Sequence, residues 1–185
     1  MSGKILCFSI ILMLFLPLSS YGAEVTGPDV QIINNEIVVN AGLTMDEKGT
    51  NDLKRGISKE ITFYIDLFKV WNIWPDEFIS GRKIVRTLKS DPIRKEYIAT
   101  SFDGATIIEK RFRDLESMLN WTLNIRNFSL LNVMDIEPAS YFMRVSIESR
   151  IRKLPPVIGY LLFFVPENDF RITKDSLVFR AGAAK

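Results

Sequence analysis

The sequence contains no histidine and a single cysteine, Cys7, close to the N-terminus. Histidine is the side chain whose ordinary pKa lies closest to neutrality, and cysteine supplies thiolate nucleophiles and soft metal ligands. The chain therefore cannot build a Ser-His-Asp triad, a Cys-His pair or an imidazole-ligated metal site. One thiol is also too few for an intramolecular disulfide or a cysteine-ligated cluster. These absences exclude many common routes to nucleophilic and metal-assisted catalysis.

The longest nearly unbroken apolar run is also short. It covers residues 5–18 behind the positive charge of Lys4, whereas a spanning helix needs about 20 apolar residues. Pro17 breaks the run near its end, and the small residues Ser19, Ser20, Gly22 and Ala23 suit cleavage after Gly22 or Ala23. We predict a signal peptide over residues 1–23 and a periplasmic or secreted protein. The alternative is an uncleaved anchor, which would also export the bulk of the chain.

The remaining residues, 24–185, are predicted to form a single domain. They contain no repeat, low-complexity tract or Pro/Ser-rich linker, and a chain of this length buries roughly 70% of its unfolded surface. Lys and Arg number 24 against 22 Asp and Glu, a formal net charge of +2. This balance gives no indication of a nucleic-acid partner. No Gly-rich phosphate loop or calcium loop is present, so no cofactor is predicted.

Strand signals dominate this domain. A hairpin is predicted around Asn34-Asn35, because asparagine tolerates positive φ. Alternating apolar residues predict strands over 61–67, 82–88, 93–102, 141–151 and 172–179, with turns at Ser90-Asp91-Pro92 and Asp103-Gly104. On the strand 141–151, the odd-numbered apolar residues are predicted to face the core. The alternating pattern is typical of antiparallel sheets with one buried face.

Two helices are predicted among the strands. Residues 45–57 are polar and helix-tolerant, with Thr44 as the predicted N-cap. Residues 112–125 carry apolar side chains at steps of three and four, which is typical of an amphipathic helix. The predicted fold class is therefore β-rich α+β, an antiparallel sheet or sandwich with one or two packed helices.

Several segments together resemble a known family. From Met143 through Phe179, a basic alternating strand is followed by Leu154-Pro155-Pro156, an apolar run and a closing strand. Trp74 precedes Ile84-Val85-Arg86 and Arg94-Lys95-Glu96-Tyr97. This arrangement resembles the bacterial domain-of-unknown-function family 4390. The resemblance implies a β-rich secreted or periplasmic domain that acts beside envelope-sensing machinery, and it transfers no functional residue.

Basic residues concentrate on two of the predicted strands. If these strands are neighbours, they form a cationic sheet face that attracts an acidic partner or anionic lipid headgroups. The alternative is a solvated face whose charges discourage edge pairing. The residues concerned are Arg82, Lys83, Arg86, Lys89, Arg94, Lys95, Arg144, Arg150, Arg152 and Lys153.

The segment 154–165 differs from the strands because its apolar residues do not alternate. It is therefore either buried on all sides or displayed as a docking surface. The candidate contact residues within it are Tyr160, Phe163 and Phe164.

Three further patterns point to chemistry but are predicted to be structural. Trp71, Trp74 and Phe78 could stack on sugars or bases, although a loop anchored in the core is favoured. Ser80 and Lys83 match the S-x-x-K spacing of penicillin-binding proteins without the accompanying motifs. Asp114 and Glu116 form a carboxylate pair of a kind that any chain of this length offers.

The function expected from these observations is a non-enzymatic binding or accessory module of the cell envelope. It would contact a protein partner through a sheet face or the segment 154–165. One alternative is peripheral binding to an anionic membrane surface through the basic strands. Another is an enzyme that uses carboxylates, Ser, Lys or Arg. The candidate interaction surface comprises Arg86, Arg94, Arg144, Arg150, Arg152, Tyr160, Phe163 and Phe164.

Overall fold

The computed structural model describes residues 22–151 and 170–183. In this part of the chain, ten strands and two helices are arranged as two antiparallel sheets. The strands are β1 (Glu24–Ile33), β2 (Glu36–Thr44), β3 (Lys59–Lys69), β4 (Glu77–Asp91), β5 (Glu96–Phe102), β6 (Ile107–Phe112), β7 (Asn124–Asn132), β8 (Ala139–Ile151), β9 (Phe170–Asp175) and β10 (Phe179–Ala181). The helices are α1 (Glu47–Lys54) and α2 (Leu115–Leu123), and a 3-10 turn covers Val133–Asp135. The predicted β-rich α+β class is confirmed.

The larger sheet has seven strands and the smaller has three. In the larger sheet the order is β10-β8-β3-β4-β5-β6, and β9 pairs with β8 alongside β10. The smaller sheet has the order β1-β2-β7. Side chains from both sheets and both helices form one hydrophobic core. We call the face of the larger sheet that lines this core the inner face, and the opposite one the outer face.

The turns follow from local chemistry. Asn34 and Asn35 both adopt positive φ, 50° and 64°, which gives the tight β1–β2 hairpin that was predicted. Asp91 accepts hydrogen bonds from the backbone N–H groups of Ile93 and Arg94, both at 3.1 Å, in the β4–β5 turn. Side chains that bond their own turn in this way replace backbone partners lost at the strand ends.

Both helices begin with an aspartate. Asp46 accepts a hydrogen bond from the backbone N–H of Gly49 at 2.8 Å, and Asp114 accepts one from that of Ser117 at 2.7 Å. Each carboxylate satisfies a donor that has no partner within the helix. The prediction of Thr44 as N-cap is wrong, because Thr44 is still paired with Glu24 in the β1–β2 ladder.

The strands alternate as predicted between core and surface. Phe63 and Ile65 of β3 and Val145 and Ile147 of β8 are fully buried on the inner face. The prediction of one closing strand over 172–179 is wrong, because β9 and β10 are separated at Ser176. There the backbone N–H of Ser176 donates to the carbonyl of Met143 (2.8 Å), and the Met143 N–H donates to the Ser176 Oγ (2.9 Å).

Among the described residues, no helix is long and apolar enough to cross a membrane.

Candidate interaction surface

Arg86 lies on the inner face of the larger sheet. It is paired with Ile61 of β3, in line with the core residues Ile84 and Leu88 of its own strand. Its guanidinium lies 5.5 Å from the ring centroid of Phe63 and 5.3 Å from that of Trp121. Arg86 is therefore a structural residue of the core boundary, and it does not contribute to an outer cationic surface.

The guanidinium of Arg86 completes the C-terminus of α2. Its Nη1 atom donates to the carbonyl oxygens of Trp121, Thr122 and Asn124, each 2.8 Å away. These carbonyls lie at the helix end, where intrahelical donors run out and a positive charge is favourable. Burial lowers the pKa of Arg86 to about 10, which leaves the side chain charged at neutral pH. Arg86 thereby joins β4 to α2 and to the start of β7.

Arg144 lies on the outer face, where its guanidinium already binds a carboxylate of the same chain. Its Nε and Nη2 atoms donate to the two carboxylate oxygens of Asp175, both at 2.8 Å. The hydrogen bonds with Asp175 raise the pKa of Arg144 further. The guanidinium also covers the rings of Phe68 and Phe142, at 5.1 and 5.3 Å from their centroids.

Arg150 lies on the same outer face and shares a buried carboxylate. Glu148 accepts from Arg150 at 3.1 Å, lies 3.2 Å from Arg171, and lies 3.5 Å from the hydroxyl of Tyr64. One carboxylate thus neutralises part of two guanidinium charges. The outer-face arginines of β8 and β9 are thus paired with carboxylates, which weakens their attraction for an anionic surface.

The remaining candidate residues do not join this face. Arg94 lies in the β4–β5 turn, beyond the end of β4. The two basic strands, β4 and β8, are not neighbours as the hypothesis required, because β3 lies between them, and alternation places Arg86 and Arg144 on opposite faces. Arg152, Tyr160, Phe163 and Phe164 lie outside the described residues. The position of Arg86 between Ile84 and Leu88 was the sequence signal for its inward orientation.

A different surface is formed by the loop between β3 and β4. We call Trp71, Ile73, Trp74 and Phe78 the aromatic end. Their exposed fractions are 43%, 90%, 74% and 57%. The prediction that this loop is anchored in the core by its aromatic side chains is wrong. Large apolar side chains displayed together in this way are typical of interaction sites.

Hydrogen bonds to acidic side chains hold the loop in shape. The backbone N–H of Trp71 donates to Asp76 at 3.4 Å, and its indole Nε1 donates to Glu77 at 3.2 Å. The Nζ atom of Lys69 lies 4.6 Å from the Trp71 ring centroid and 2.9 Å from a carboxylate oxygen of Glu137. Trp71 is therefore fixed, while Ile73 and Trp74 project from a braced loop.

Other exposed apolar side chains occur at the same end of the molecule. The backbone N–H of Val70 donates to the carbonyl of Ser140 (2.9 Å), and that of Val133 donates to the carbonyl of Asn35 (2.7 Å). These bonds tie the loop after β3 to the start of β8, and the residues preceding β8 to the β1–β2 turn. Exposed apolar side chains in or next to the segments near this end are Ile32 and Ile33 before the β1–β2 turn, Met134 before β8, and Leu177 and Val178 between β9 and β10.

The segments that form this end carry an excess of negative charge. Residues 66–78, 133–144 and 175–183 contain the acidic residues Asp66, Asp76, Glu77, Asp135, Glu137 and Asp175 against the basic residues Lys69, Arg144 and Arg180. The three cations include Lys69 and Arg144, which already bind carboxylates of the chain. The aromatic end is therefore apolar at its tip and acidic around it.

Two cavities of the described part differ in size, and neither brings two carboxylates together. One, of about 60 Å³, lies between α1 and the ends of β3 and β8, below the several hundred Å³ of a typical ligand pocket. An open cleft of about 470 Å³ is lined by Pro138, Ala139, Ser140, Arg180, Ala181 and Gly182. Neither lining contains converging carboxylates. Within residues 22–151 and 170–183, no group of three or more His, Cys, Asp or Glu side chains is placed to hold a metal ion.

The two motifs suggestive of catalysis are accounted for by local structure. Ser80 pairs with Leu67 and Lys83 with Tyr64, so the two side chains leave β4 on opposite faces. Asp114 caps α2, and its hydrogen bonds with Ser117 lower its pKa.

Comparison with known proteins adds one finding. The family model described as Domain of unknown function (DUF4390) matches residues 21–177. The chain belongs to this family. The resemblance noted in the sequence is thereby confirmed, and the DUF4390 match spans β1–β9, both helices and the aromatic end. No curated protein and no solved structure matches the chain.

Proposed function

We propose that this DUF4390 protein is an exported, non-enzymatic binding module of the cell envelope that docks on a protein partner through its aromatic end. The observation that carries the proposal is the exposure of Trp71, Ile73 and Trp74 on one braced loop and of Phe78 at the start of β4. Tryptophan and other aromatic side chains contribute most of the binding energy in many protein interfaces. A loop already fixed by hydrogen bonds loses little conformational entropy on docking.

The proposal is supported by the low catalytic potential of the chain. Histidine is absent, and the carboxylates of Asp114 and Glu148 are engaged in a helix cap and in ion pairs. Export is supported by the apolar run at 5–18 and the small residues at 19–23. Docking through the segment 154–165, which lies outside the described residues, remains a separate part of the proposal.

Peripheral membrane binding through the basic strands receives less support from the geometry. Arg86 faces inward, and Arg144 and Arg150 bind Asp175 and Glu148. Each pair removes a charge that an anionic headgroup would otherwise meet.

Site-specific photo-cross-linking in living cells tests the proposed function. A photoreactive phenylalanine analogue replaces exposed Asn72, which lies between two residues of the aromatic end, or Ile93, which is 94% exposed in the distant β4–β5 turn. We expect a discrete cross-linked protein from position 72 and none from position 93. A second substitution, Trp74→Ser, should abolish the cross-link from position 72.

The stability of each variant is measured by urea unfolding. Trp74→Ser should change the free energy of unfolding by no more than about 0.5 kcal/mol, since the side chain is exposed. An equal cross-linking pattern from both positions, or a cross-link that survives Trp74→Ser in a folded protein, would contradict docking through this end.

A further inference from the structure

The chemistry of the aromatic end also specifies its partner. Lys69 lies over the ring of Trp71 at 4.6 Å, so one tryptophan of the loop already has a cation. Trp74 is 74% exposed, and its ring contacts no cation or second aromatic ring in the described part of the chain. The exposed indole face of Trp74 is a surface on which a second cation would be favourable.

Two carboxylates, those of Asp76 and Glu77, follow Trp74 closely in the chain. Asp76 and Glu77 are both exposed, and each accepts a hydrogen bond from Trp71 through one oxygen atom. Within the described residues, their second oxygen atoms have no hydrogen-bond partner. A guanidinium or ammonium group at this position would gain a charge-assisted hydrogen bond as well as contact with the ring.

The charge around the patch favours the same partner. The local basic residues Lys69 and Arg144 are occupied by Glu137 and Asp175, so Arg180 is the remaining cation of these described segments that offsets their acidic excess. An acidic protein or an anionic lipid surface would be repelled by Asp76 and Glu77. A partner with positive charge and apolar side chains complements both features.

We propose that the aromatic end binds a protein segment in which Arg or Lys alternates with large apolar side chains. The cation lies between the ring of Trp74 and the carboxylates of Asp76 and Glu77, and the apolar side chains contact Ile73 and Phe78. This inference rests on the proposed function, because it names the partner of the same surface. It differs from that proposal in requiring charge recognition.

Fluorescence anisotropy with three defined peptides tests the inference on the purified protein. The labelled probes alternate Leu with Arg, Leu with Gln, or Leu with Glu at equal length. We expect the Leu/Arg peptide to bind at least about fivefold more tightly than the Leu/Gln peptide, which corresponds to about 1 kcal/mol of cation contact. The Leu/Glu peptide should bind most weakly.

Two variants separate the charge from the apolar contact. Asp76→Asn combined with Glu77→Gln keeps the oxygen acceptors that brace Trp71 and removes both charges. It should abolish the preference for Leu/Arg over Leu/Gln without weakening the Leu/Gln complex. Ile73→Ser should weaken both complexes, and the exposed control Ile93→Ser should weaken neither.

The possible outcomes distinguish the two proposals. Equal or undetectable binding of the Leu/Arg and Leu/Gln peptides overturns the cationic partner and leaves the cross-linking test of docking unaffected. A preference for Leu/Arg that persists in the charge-neutral double variant also overturns it. Neutral phosphatidylcholine vesicles serve as a fourth probe. If they shift the tryptophan emission to the blue in the wild type but not in Ile73→Ser, the surface binds lipid, and both proposals fail.

Discussion

Two arginines on opposite faces of the seven-stranded sheet each lie against two aromatic rings. Arg86 contacts Phe63 and Trp121 on the inner face, and Arg144 contacts Phe68 and Phe142 on the outer face. The difference is in their acceptors. Arg86 donates to three backbone carbonyls, whereas Arg144 forms an ion pair with a carboxylate.

Arg86 therefore makes a buried structural contact, whereas Arg144 makes a contact that is exposed to solvent. The carbonyls that Arg86 satisfies belong to a helix end within the fold, and no other side chain among the described residues hydrogen-bonds to them. The ion pair of Arg144 is reached by solvent, with about 40% of each side chain exposed, and an exposed pair contributes little because water competes for it. We therefore expect the two similar stacking geometries to stabilise the fold by very different amounts.

The largest effect is expected when the inner cluster is broken. Arg86→Ala should lower the free energy of unfolding by about 2–4 kcal/mol, because three carbonyls lose a charged donor and the packing between two rings is lost. Urea denaturation monitored by circular dichroism measures the change. The matched control is Arg82→Ala, an exposed position on the same strand, which should remain within about 0.5 kcal/mol of the wild type. Equal losses in both variants would show that Arg86 has no special structural role.

A smaller effect is expected on the outer face. Arg144→Ala should lower the free energy of unfolding by about 1 kcal/mol, through loss of the Asp175 pair and of the ring contact. Part of this loss should disappear in 1 M NaCl, because salt screens an exposed ion pair. The Arg86→Ala loss should not depend on salt in this way. A salt-independent loss of several kcal/mol in Arg144→Ala would remove the contrast between the two faces.

The smallest effect is expected at the N-terminus of α2, the helix whose C-terminus Arg86 caps. Backbone hydrogen bonding by Ser117 holds the pKa of Asp114 below its usual value of 3.8. Since the folded state lowers this pKa, the ionised carboxylate stabilises the protein above pH 3.8, and its contribution is lost as the pH falls through the lower folded value. Asp114→Asn should therefore be slightly less stable than the wild type at neutral pH. Urea midpoints measured from pH 7 downward should converge in acid, and a constant difference would contradict this assignment.

Much of the fold could be predicted from local patterns. Asn34-Asn35 specified a hairpin through its tolerance of positive φ, and the alternation in β3 and β8 identified the buried face. The N-cap of α1 was misplaced because Thr44 and Asp46 are both good caps, and pairing of Thr44 with Glu24 decides between them. The choice between the two caps depends on pairing with β1, and the sequence around the helix carries no information about that pairing.

The candidate site was harder to predict for a related reason. Tryptophan and phenylalanine are used both in cores and at interfaces, so composition does not determine whether the loop around Trp74 is buried. Its exposure depends on what the rest of the fold leaves uncovered. The role of Arg86 was accessible in principle, because its position between Ile84 and Leu88 places it on the apolar side of the strand.

The break at Ser176 has a consequence for the solubility of the folded protein. An uninterrupted outer strand along β8 would present a long row of unpaired backbone groups, a template on which another chain could add a strand and begin aggregation. Ser176 interrupts this outer strand, so that the two short strands β9 and β10 pair with β8 in its place. Its own N–H and Oγ satisfy both backbone groups of Met143. The interruption therefore shortens the exposed template without leaving the Met143 N–H or carbonyl unsatisfied, which protects the sheet from misassembly at this border.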